Sequence, residues 1–423
     1  MAEVRPLRTV RYDPAAVGSL DAVIAPPYDV IDDSLRSELL AKSPFNVVEI
    51  DLPRAPDGGD PYAHAGETFS AWRANGVISQ EAEPAFWALE QRYEAPDGSR
   101  RRRRCFFARV RVEDYGQGRI RPHERTHPGP KEDRLRLTRA TRANLSPIFS
   151  LFPDSSGAAT EALEAATAGA PFAETSDHDG SENTLWRIAD PDAVASLQAA
   201  LADAELLIAD GHHRYETARV YADEVGGEGE HRYVLMFLCA LSDPGLTVFP
   251  THRLLTGLKD DPGKQAAIRE AVKRDFEVEQ VSPEELEPTG EGNGRVRLGY
   301  MDSFLRRPYR LTLKDPEIAD RALAGMPEPY RRLDTAVLEA IVLKGALAMS
   351  DDDISHLRGL GYSKSFDDAY EAVESGRADA GFFMRATPVE QVQEVAEAGE
   401  SMPPKSTYFH PKVPTGLVFN VLE

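Results

Sequence analysis

The sequence predicts a mixed fold of the α+β (mixed α/β) class, and three observations support this prediction. Two apolar segments, 85–89 and 105–110, flank a Pro-Asp-Gly turn at 96–98 and indicate a β-hairpin. An apolar run at 206–209 leads into a helical stretch at 215–225. A chain that combines hairpins with alternating strands and helices is typical of this class.

The other elements are predicted from hydrophobic periodicity and capping residues. Asp32 and Asp33 place carboxylates at the start of a predicted helix. Further helices are predicted at 65–75, 134–143, 155–170, 190–204, 333–347 and 367–375. Strands are predicted at 46–52, 295–300 and 307–313, and residues 233–241 form one buried strand or two short ones. Gly and Pro residues within 256–295 indicate a boundary between two predicted domains, 1–255 and 256–423.

The charge balance argues against a general role in nucleic-acid binding. The 423 residues include 49 basic and 70 acidic ones, and the resulting net charge of −21 repels a phosphate backbone. The five arginines at 100–104 are predicted to lie on a solvated strand, where they pair with Glu90 and Glu94 on the neighbouring strand.

The two cysteines, Cys105 and Cys239, are too few for a disulfide framework or a cysteine-based zinc cluster. The N-terminus has no apolar signal region, and no segment approaches the length of a membrane span. We therefore expect a soluble, cytoplasmic protein. The oligomeric state is left open, a homo-oligomer included.

The segment 210–215, Asp-Gly-His-His-Arg-Tyr, holds the densest group of reactive side chains. It lies where the apolar run 206–209 meets a helix, so that backbone N–H groups and the positive end of the helix dipole face one point. Two imidazoles and the Arg214 guanidinium at the same turn predict a pocket for phosphate or another anion. The structural alternatives are that Asp210 caps the helix and that the histidines bind a metal or pack as polar core residues.

A second polar segment, at 120–149, permits two kinds of chemistry. His123 and His127 match the His-Glu-x-x-His pattern of zinc hydrolases. However, Pro128 and a second proline follow at once, and a zinc-binding helix needs intact turns to hold both imidazoles. A zinc hydrolase is therefore the less favoured alternative.

Phosphoryl transfer agrees better with the residues present. It needs cations around the phosphate oxygens, usually a divalent metal ion, and a carboxylate that orients the nucleophile. Lys131 and Arg134 supply charge and Glu124 a carboxylate, although a solvated surface loop remains the alternative. The sequence contains no P-loop, protein-kinase signature set, Gly-x-Ser-x-Gly elbow or Rossmann glycine fingerprint.

The turn at 211–215 closely resembles the Gly-Cys-His-Arg-Tyr turn of sulfiredoxins. It is also similar to the Gly-x-x-Arg turn of ParB-type proteins and to the Asp-Gly-His-His-Arg-like turn of the free serine kinases in that superfamily. The turn holds nucleotide phosphates in those families, so the resemblance implies that His213 and Arg214 contact phosphate and that Gly211 permits its close approach. His212 replaces the sulfiredoxin cysteine, and without a thiol the sulfiredoxin redox reaction is excluded.

Over nearly its whole length the sequence is identified as a member of the DUF1015 family of bacteria and archaea. The strings that carry this resemblance are 25–31, 123–124 with 130–134, 143–149, 208–217 and 405–412. Together the resemblances imply a sulfiredoxin/ParB-like nucleotide-binding core with a large insertion within 1–255, followed by a C-terminal α/β domain at 256–423.

The resulting hypothesis is a phosphotransferase that uses ATP or ADP with Mg²⁺ to phosphorylate a small hydroxyl metabolite, free serine being one candidate. The candidate catalytic residues are Glu124, Asp210 and His212, and the candidate phosphate- and nucleotide-binding residues are Gly211, His213, Arg214, Lys131 and Arg134. The alternative is a ParB-like nucleotide-binding switch without metabolic turnover. The segment 405–412 is either a lid or clamp over phosphate or a terminal segment that docks for stability.

Overall fold

The computed structural model describes residues 2–56, 58–95, 98–115, 119–123, 128–290 and 295–423. It confirms the mixed α+β class, because two large β-sheets are combined with many helices along the chain.

The strands of the described chain are β1 (Val4–Arg5), β2 (Val10–Tyr12), β3 (Ile78–Gln80), β4 (Phe86–Glu94), β5 (Arg100–Arg111), β6 (Ile120–Pro122), β7 (Ala143–Asn144), β8 (Ile148–Phe152), β9 (Ala173–Ser176), β10 (Glu182–Ile188), β11 (Leu206–Asp210), β12 (Tyr233–Ala240), β13 (Thr247–Phe249), β14 (His252–Leu255), β15 (Phe276–Gln280), β16 (Arg297–Asp302), β17 (Tyr309–Leu313), β18 (Leu360–Ser363), β19 (Ala380–Phe383), β20 (Tyr408–His410) and β21 (Asn420–Val421).

The α-helices are α1 (Pro14–Val17), α2 (Asp33–Lys42), α3 (Val48–Asp51), α4 (Pro61–Ala74), α5 (Pro128–Thr141), α6 (Ala158–Ala166), α7 (Pro191–Ala200), α8 (His212–Val225), α9 (Pro262–Asp275), α10 (Pro316–Ala322), α11 (Glu328–Arg331), α12 (Asp334–Leu338), α13 (Asp351–Ser355), α14 (Phe366–Glu374) and α15 (Val389–Glu397). A π-helix, Glu339–Ala346, continues α12, and short 3₁₀ turns lie at Tyr28–Val30, Glu230–Arg232 and Pro283–Glu285.

The described chain divides into two compact units. Unit 1 comprises residues 2–122, 128–247 and 411–423, and unit 2 comprises residues 123 and 248–410. The predicted division into domains at 255/256 concerns independent folding and stays a prediction.

The large sheet of unit 1 has the strand order β6-β11-β8-β12-β5-β4-β10-β9, with β1 added beside β5. Its strand β12 pairs in parallel with β8 and antiparallel with β5, and all eight of its residues are buried. The segment predicted as one buried strand or two is therefore one strand. The strand β11 pairs antiparallel with β8, where Asp210 lies opposite Phe149.

The predicted hairpin is confirmed as β4 and β5, although residues 96 and 97 of its turn lie outside the described chain. Glu90 is opposite Arg104 in the register, and their side chains form an ion pair of 2.6 Å. This pair confirms the predicted cross-strand pairing of the arginine run with Glu90, whereas the predicted pairing with Glu94 stays a prediction. The run is not uniformly solvated, however, because Arg103 is fully buried.

The segment 46–52 was predicted as a strand and is instead the short helix α3, so this prediction was wrong. The side chain of Asn46 explains the difference. Its amide donates to the carbonyl oxygens of residues 22 and 24, and its Oδ1 accepts from the N–H of Val48 at 3.0 Å. Such a side-chain hydrogen bond to the backbone favours a turn over an extended strand. A helical turn then buries the same apolar side chains that suggested a strand.

Other predicted elements are confirmed with shifted ends. The helix after the two aspartates begins at Asp33, with the Asp32 carboxylate accepting from a backbone N–H as its cap. The predicted helix at 134–143 begins earlier, at Pro128, and ends at Thr141. It stops there because Arg142 has a positive φ of 48° and the chain then enters β7.

Unit 2 is built around a six-stranded sheet with the order β15-β17-β16-β19-β14-β18, in which every neighbouring pair is antiparallel. Its apolar core combines sheet residues such as Leu311 and Phe382 with Ile268 of α9 and Val337 of α12.

No helix in the described ranges combines the length and the apolar composition that a bilayer crossing requires.

Helices α4 and α5 of unit 1 approach each other closely at Gly66. A Cβ atom added to Gly66 would lie only 2.6 Å from the carbonyl oxygen of Ala140. Because this neighbour is backbone, the contact can be relieved only if the two helices move apart.

We predict that Gly66→Ala destabilises the protein by about 1–3 kcal/mol, the usual cost of overpacking. Alanine favours a helix over glycine by only about 1 kcal/mol, so the clash is expected to dominate. Urea unfolding followed by circular dichroism measures the change. The matched control is Glu67→Ala, an exposed neighbour in α4. Equal unfolding midpoints for the two variants would contradict the close approach.

Candidate functional site

The predicted strand-to-helix turn is present in unit 1. The strand β11 ends at Asp210, Gly211 has a left-handed φ of 97°, and α8 begins at His212. Two constraints select glycine at the middle position. Its φ is unfavourable for other residues, and an added Cβ would lie 3.0 Å from Nε of Arg214. The guanidinium of Arg214 therefore folds back over the turn.

Asp210 is the centre of the ionic contacts at this turn. One carboxylate oxygen pairs with Nη2 of Arg214 at 2.9 Å, and the other pairs with Nζ of Lys412 at 3.2 Å. The second terminal nitrogen of Arg214 donates to the carbonyl oxygen of Pro147. Burial raises the pKa of Asp210, but Lys412 and Arg214 outweigh this effect and hold the pKa below its usual range. The carboxylate is therefore ionised at any physiological pH.

Lys412 is fixed at the turn by two fully buried donors of the hairpin. Arg103 donates to the carbonyl oxygen of Pro411 at 2.7 Å, and Gln91 donates to the carbonyl oxygen of Lys412 at 3.2 Å. The guanidinium of Arg103 also lies over the ring of Phe149 at 4.7 Å. Arg103, the fully buried member of the arginine run, thus anchors the C-terminal segment of unit 1.

A second buried ionic cluster surrounds Arg134. Its guanidinium pairs with Asp51 at 3.1 Å and with Asp133 at 2.7 Å, and it lies 4.0 Å from the ring centroid of Tyr28. The hydroxyl of Ser146 donates to the free oxygen of Asp51 at 2.9 Å. Burial raises the pKa of Tyr28 to about 12, and the nearby charges of Arg214 and Arg134 oppose this rise. Tyr28 is therefore a neutral phenol close to both cations.

The two clusters share a small cavity. Arg134, Arg214 and Thr217 are among the residues that line it, and its volume of about 40 Å³ is enough for about one water molecule. The predicted residues Arg134 and Arg214 are thus brought to one place, but each already has a carboxylate partner.

The remaining predicted site residues are His212, His213, Lys131 and Glu124, and the structure describes the first three. His212 is buried, whereas His213 and Lys131 are half-buried. The backbone of Lys131 is tied to α8, because its carbonyl oxygen accepts from Thr217 at 3.3 Å. Glu124 lies outside the described residues, so its predicted catalytic role stays a prediction.

Of the two histidines of the zinc alternative, His127 lies outside the described residues. His123, in unit 2, is buried, and its Nε2 lies 3.0 Å from the hydroxyl of Thr407. Within the described ranges, no three His, Cys, Asp or Glu side chains are grouped closely enough to hold a metal ion.

A family model described as "Protein of unknown function (DUF1015)" matches residues 4–336. The chain belongs to the DUF1015 family. A comparison with curated proteins finds no match.

Solved structures with some similarity to this DUF1015 chain include three proteins. Free serine kinase in complex with AMP is 14% identical, with 71% of this chain and 89% of that chain covered and a TM-score of 0.35. A conserved hypothetical protein from Pyrococcus furiosus is 16% identical, with 71% and 92% covered and a TM-score of 0.35. SbnI with a C-terminal truncation, from Staphylococcus aureus, is 10% identical, with 75% and 87% covered and a TM-score of 0.37.

Several residues of the two clusters were not predicted as site residues, although four of them lie in the strings on which the family resemblance was based, three of these within the matched range 4–336. These residues are Tyr28, Asp51, Gln91, Arg103, Ser146, Pro147 and Lys412. Tyr28 lies in the string 25–31, Ser146 and Pro147 lie in 143–149, and Lys412 ends 405–412. The strings mark the polar neighbours of the turn, but the sequence alone does not reveal which of them meet.

We predict that Arg134→Ala destabilises the protein by about 3–5 kcal/mol, the usual cost of leaving a buried charge unpaired. The uncompensated charge is that of Asp51, whose side chain is only 5% exposed. The matched control is Arg136→Ala, two residues away in α5, where the ion pair with Asp60 is exposed. This control should change the unfolding free energy by no more than about 1 kcal/mol. Similar losses for both variants, measured by urea unfolding, would contradict a buried role for Arg134.

Proposed function

We propose that this DUF1015 protein binds nucleotide phosphates at the turn 210–214 and transfers a phosphoryl group from ATP or ADP to a small hydroxyl metabolite. The observation that carries the proposal is the convergence of Arg214, Lys412 and the N-terminus of α8 at one glycine turn. Two cations at a helix N-terminus form an environment suited to phosphate oxygens.

In this proposal each residue has a defined task. Arg214 and Lys412 neutralise phosphate oxygens, and Gly211 leaves the backbone accessible to them. The substrate hydroxyl forms a new P–O bond, the P–O bond to the departing nucleotide breaks, and the hydroxyl proton passes to a carboxylate. Glu124 is assigned this last role on the basis of the sequence alone.

Magnesium is compatible with the residues at the turn. Protein-bound Mg²⁺ is commonly held by one or two carboxylates together with substrate phosphates and water. Asp210 is a carboxylate at the turn whose pKa Lys412 and Arg214 hold below its usual range, and it fits as one such ligand. When bound with the nucleotide, the metal ion would neutralise phosphate charge.

The choice of free serine as the first substrate to test rests on the similarity of the turn to that of free serine kinases. Other small alcohols belong in the same screen, because no described residue singles out serine. Nucleotide binding without phosphorylation of any of them would favour the ParB-like switch instead.

We predict that His213→Ala and Arg214→Ala each weaken nucleotide binding by about 1–3 kcal/mol, the loss expected for a hydrogen bond to a charged group. Isothermal titration calorimetry with ATP, ADP and CTP in the presence of Mg²⁺ measures the change. Arg219→Ala is the matched control, since Arg219 lies further along α8 and pairs with Asp114 and Glu216. Unchanged affinity in both turn variants would remove the turn from the binding site.

We predict that Glu124→Gln abolishes phosphorylation but leaves nucleotide affinity near that of the unmodified protein, because the amide cannot accept the hydroxyl proton. Product formation is followed by phosphate-transfer assay with ATP or ADP and serine. Glu132→Gln, an exposed carboxylate in α5, is the matched control and should retain activity. Full activity in the Glu124 variant would assign the proton to another acceptor.

A further inference from the structure

Asp210 already fills the place of an anion at the candidate site. Its two oxygens pair with the two cations, Arg214 and Lys412, that the proposed function assigns to phosphate. The Arg214 guanidinium lies over Gly211, where a bound phosphate would have to approach. A phosphate can therefore bind both cations only if it exchanges with the Asp210 carboxylate or shares them with it.

The Arg214 guanidinium and the backbone of Lys412 are each anchored by contacts other than those with Asp210. Arg214 also donates to the carbonyl oxygen of Pro147, and the backbone of Lys412 is held through Gln91 and through the contact of Arg103 with Pro411. Removal of the Asp210 charge is thus expected to leave a preformed pair of cations in place. The site would then have a net charge two units positive instead of one.

Exchange with phosphate has an electrostatic cost. The half-buried Asp210 carboxylate is destabilised when it loses its cationic partners unless another cation replaces them. A divalent metal ion that arrives with the phosphates satisfies the carboxylate without a proton.

We infer that Asp210 is a specificity-determining counter-ion, which makes this site select polyphosphates complexed with a divalent cation over free anions. The inference rests on the proposed function and adds to it the form in which the nucleotide is accepted. Asp210 competes with metal-free phosphate for Arg214 and Lys412, and it becomes a ligand when the metal ion is present.

The test compares ADP binding by the full-length protein and by Asp210→Asn, each in EDTA and in saturating Mg²⁺. In EDTA the variant should bind ADP about 10- to 100-fold more tightly than the unmodified protein, which is the range for a hydrogen bond to a charged group. In Mg²⁺ this advantage should disappear or reverse. Mg²⁺ changes the charge of ADP equally in the two experiments. The ratio of the two proteins' dissociation constants for ADP therefore isolates the effect of Asp210.

Asp223→Asn is the matched control. It removes the same charge from an exposed position in α8, where Asp223 pairs with Arg232, and should leave both affinities unchanged. Asp210→Ser removes the same charge with a smaller side chain and serves if the Asn variant does not fold, as judged by thermal unfolding. An additional Lys412→Met substitution in either variant should cancel the gain in EDTA.

The possible failures are distinguishable. If the unmodified protein binds ADP but neither Asp210 variant gains affinity in EDTA, the counter-ion role is overturned and the proposed function stands. If no protein binds ADP, ATP or CTP under either condition, the proposed function fails and the inference fails with it.

Discussion

One half-buried carboxylate, that of Asp210, joins distant parts of the chain at the candidate site. Asp210 ends β11, and it binds Arg214 in the first turn of α8 and Lys412, which is 202 residues away in the sequence. Arg214 also donates to the carbonyl oxygen of Pro147, and the backbone carbonyl of Lys412 accepts from Gln91. Because a half-buried carboxylate loses stability when its ionic partners are removed, the turn, the helix start and the C-terminal segment stabilise one another.

The charges around this carboxylate also limit which ligands are compatible with the site. The protein carries a net charge of −21, yet unit 1 holds the guanidinium groups of Arg103 and Arg134 buried and that of Arg214 half-buried. Each of these guanidinium groups already contacts a carboxylate or a carbonyl oxygen. A free polyanion therefore meets a repulsive overall field and cations that are already engaged. A ligand whose negative charge is partly neutralised by its own cation is repelled less by this field.

Elements whose signal lies in adjacent residues could be predicted from the sequence. The hairpin β4–β5, the buried strand β12 and the turn from β11 into α8 are of this kind, since apolar runs and turn residues mark them locally. The short helix α3 could not be predicted, because it depends on hydrogen bonds from Asn46 to residues 22 and 24. The same reason applies to Arg103 and Lys412. The contact of Arg103 with Pro411 joins residues 308 apart in the sequence and that of Lys412 with Asp210 joins residues 202 apart, so neither leaves a local periodicity.

The turn motif alone is not sufficient to define the site. The family match covers residues 4–336, whereas Lys412 lies in the segment 411–423, which completes unit 1. This segment pairs β21 with β7 and places the fully buried ring of Phe419 against Tyr12 at 5.7 Å. The packing of this segment against unit 1 therefore also places Lys412 beside Asp210. On a fold without this segment, the aspartate of an Asp-Gly-His-His-Arg turn would pair with the arginine alone. The two charges would cancel, and the turn would have no net positive charge to attract an anion.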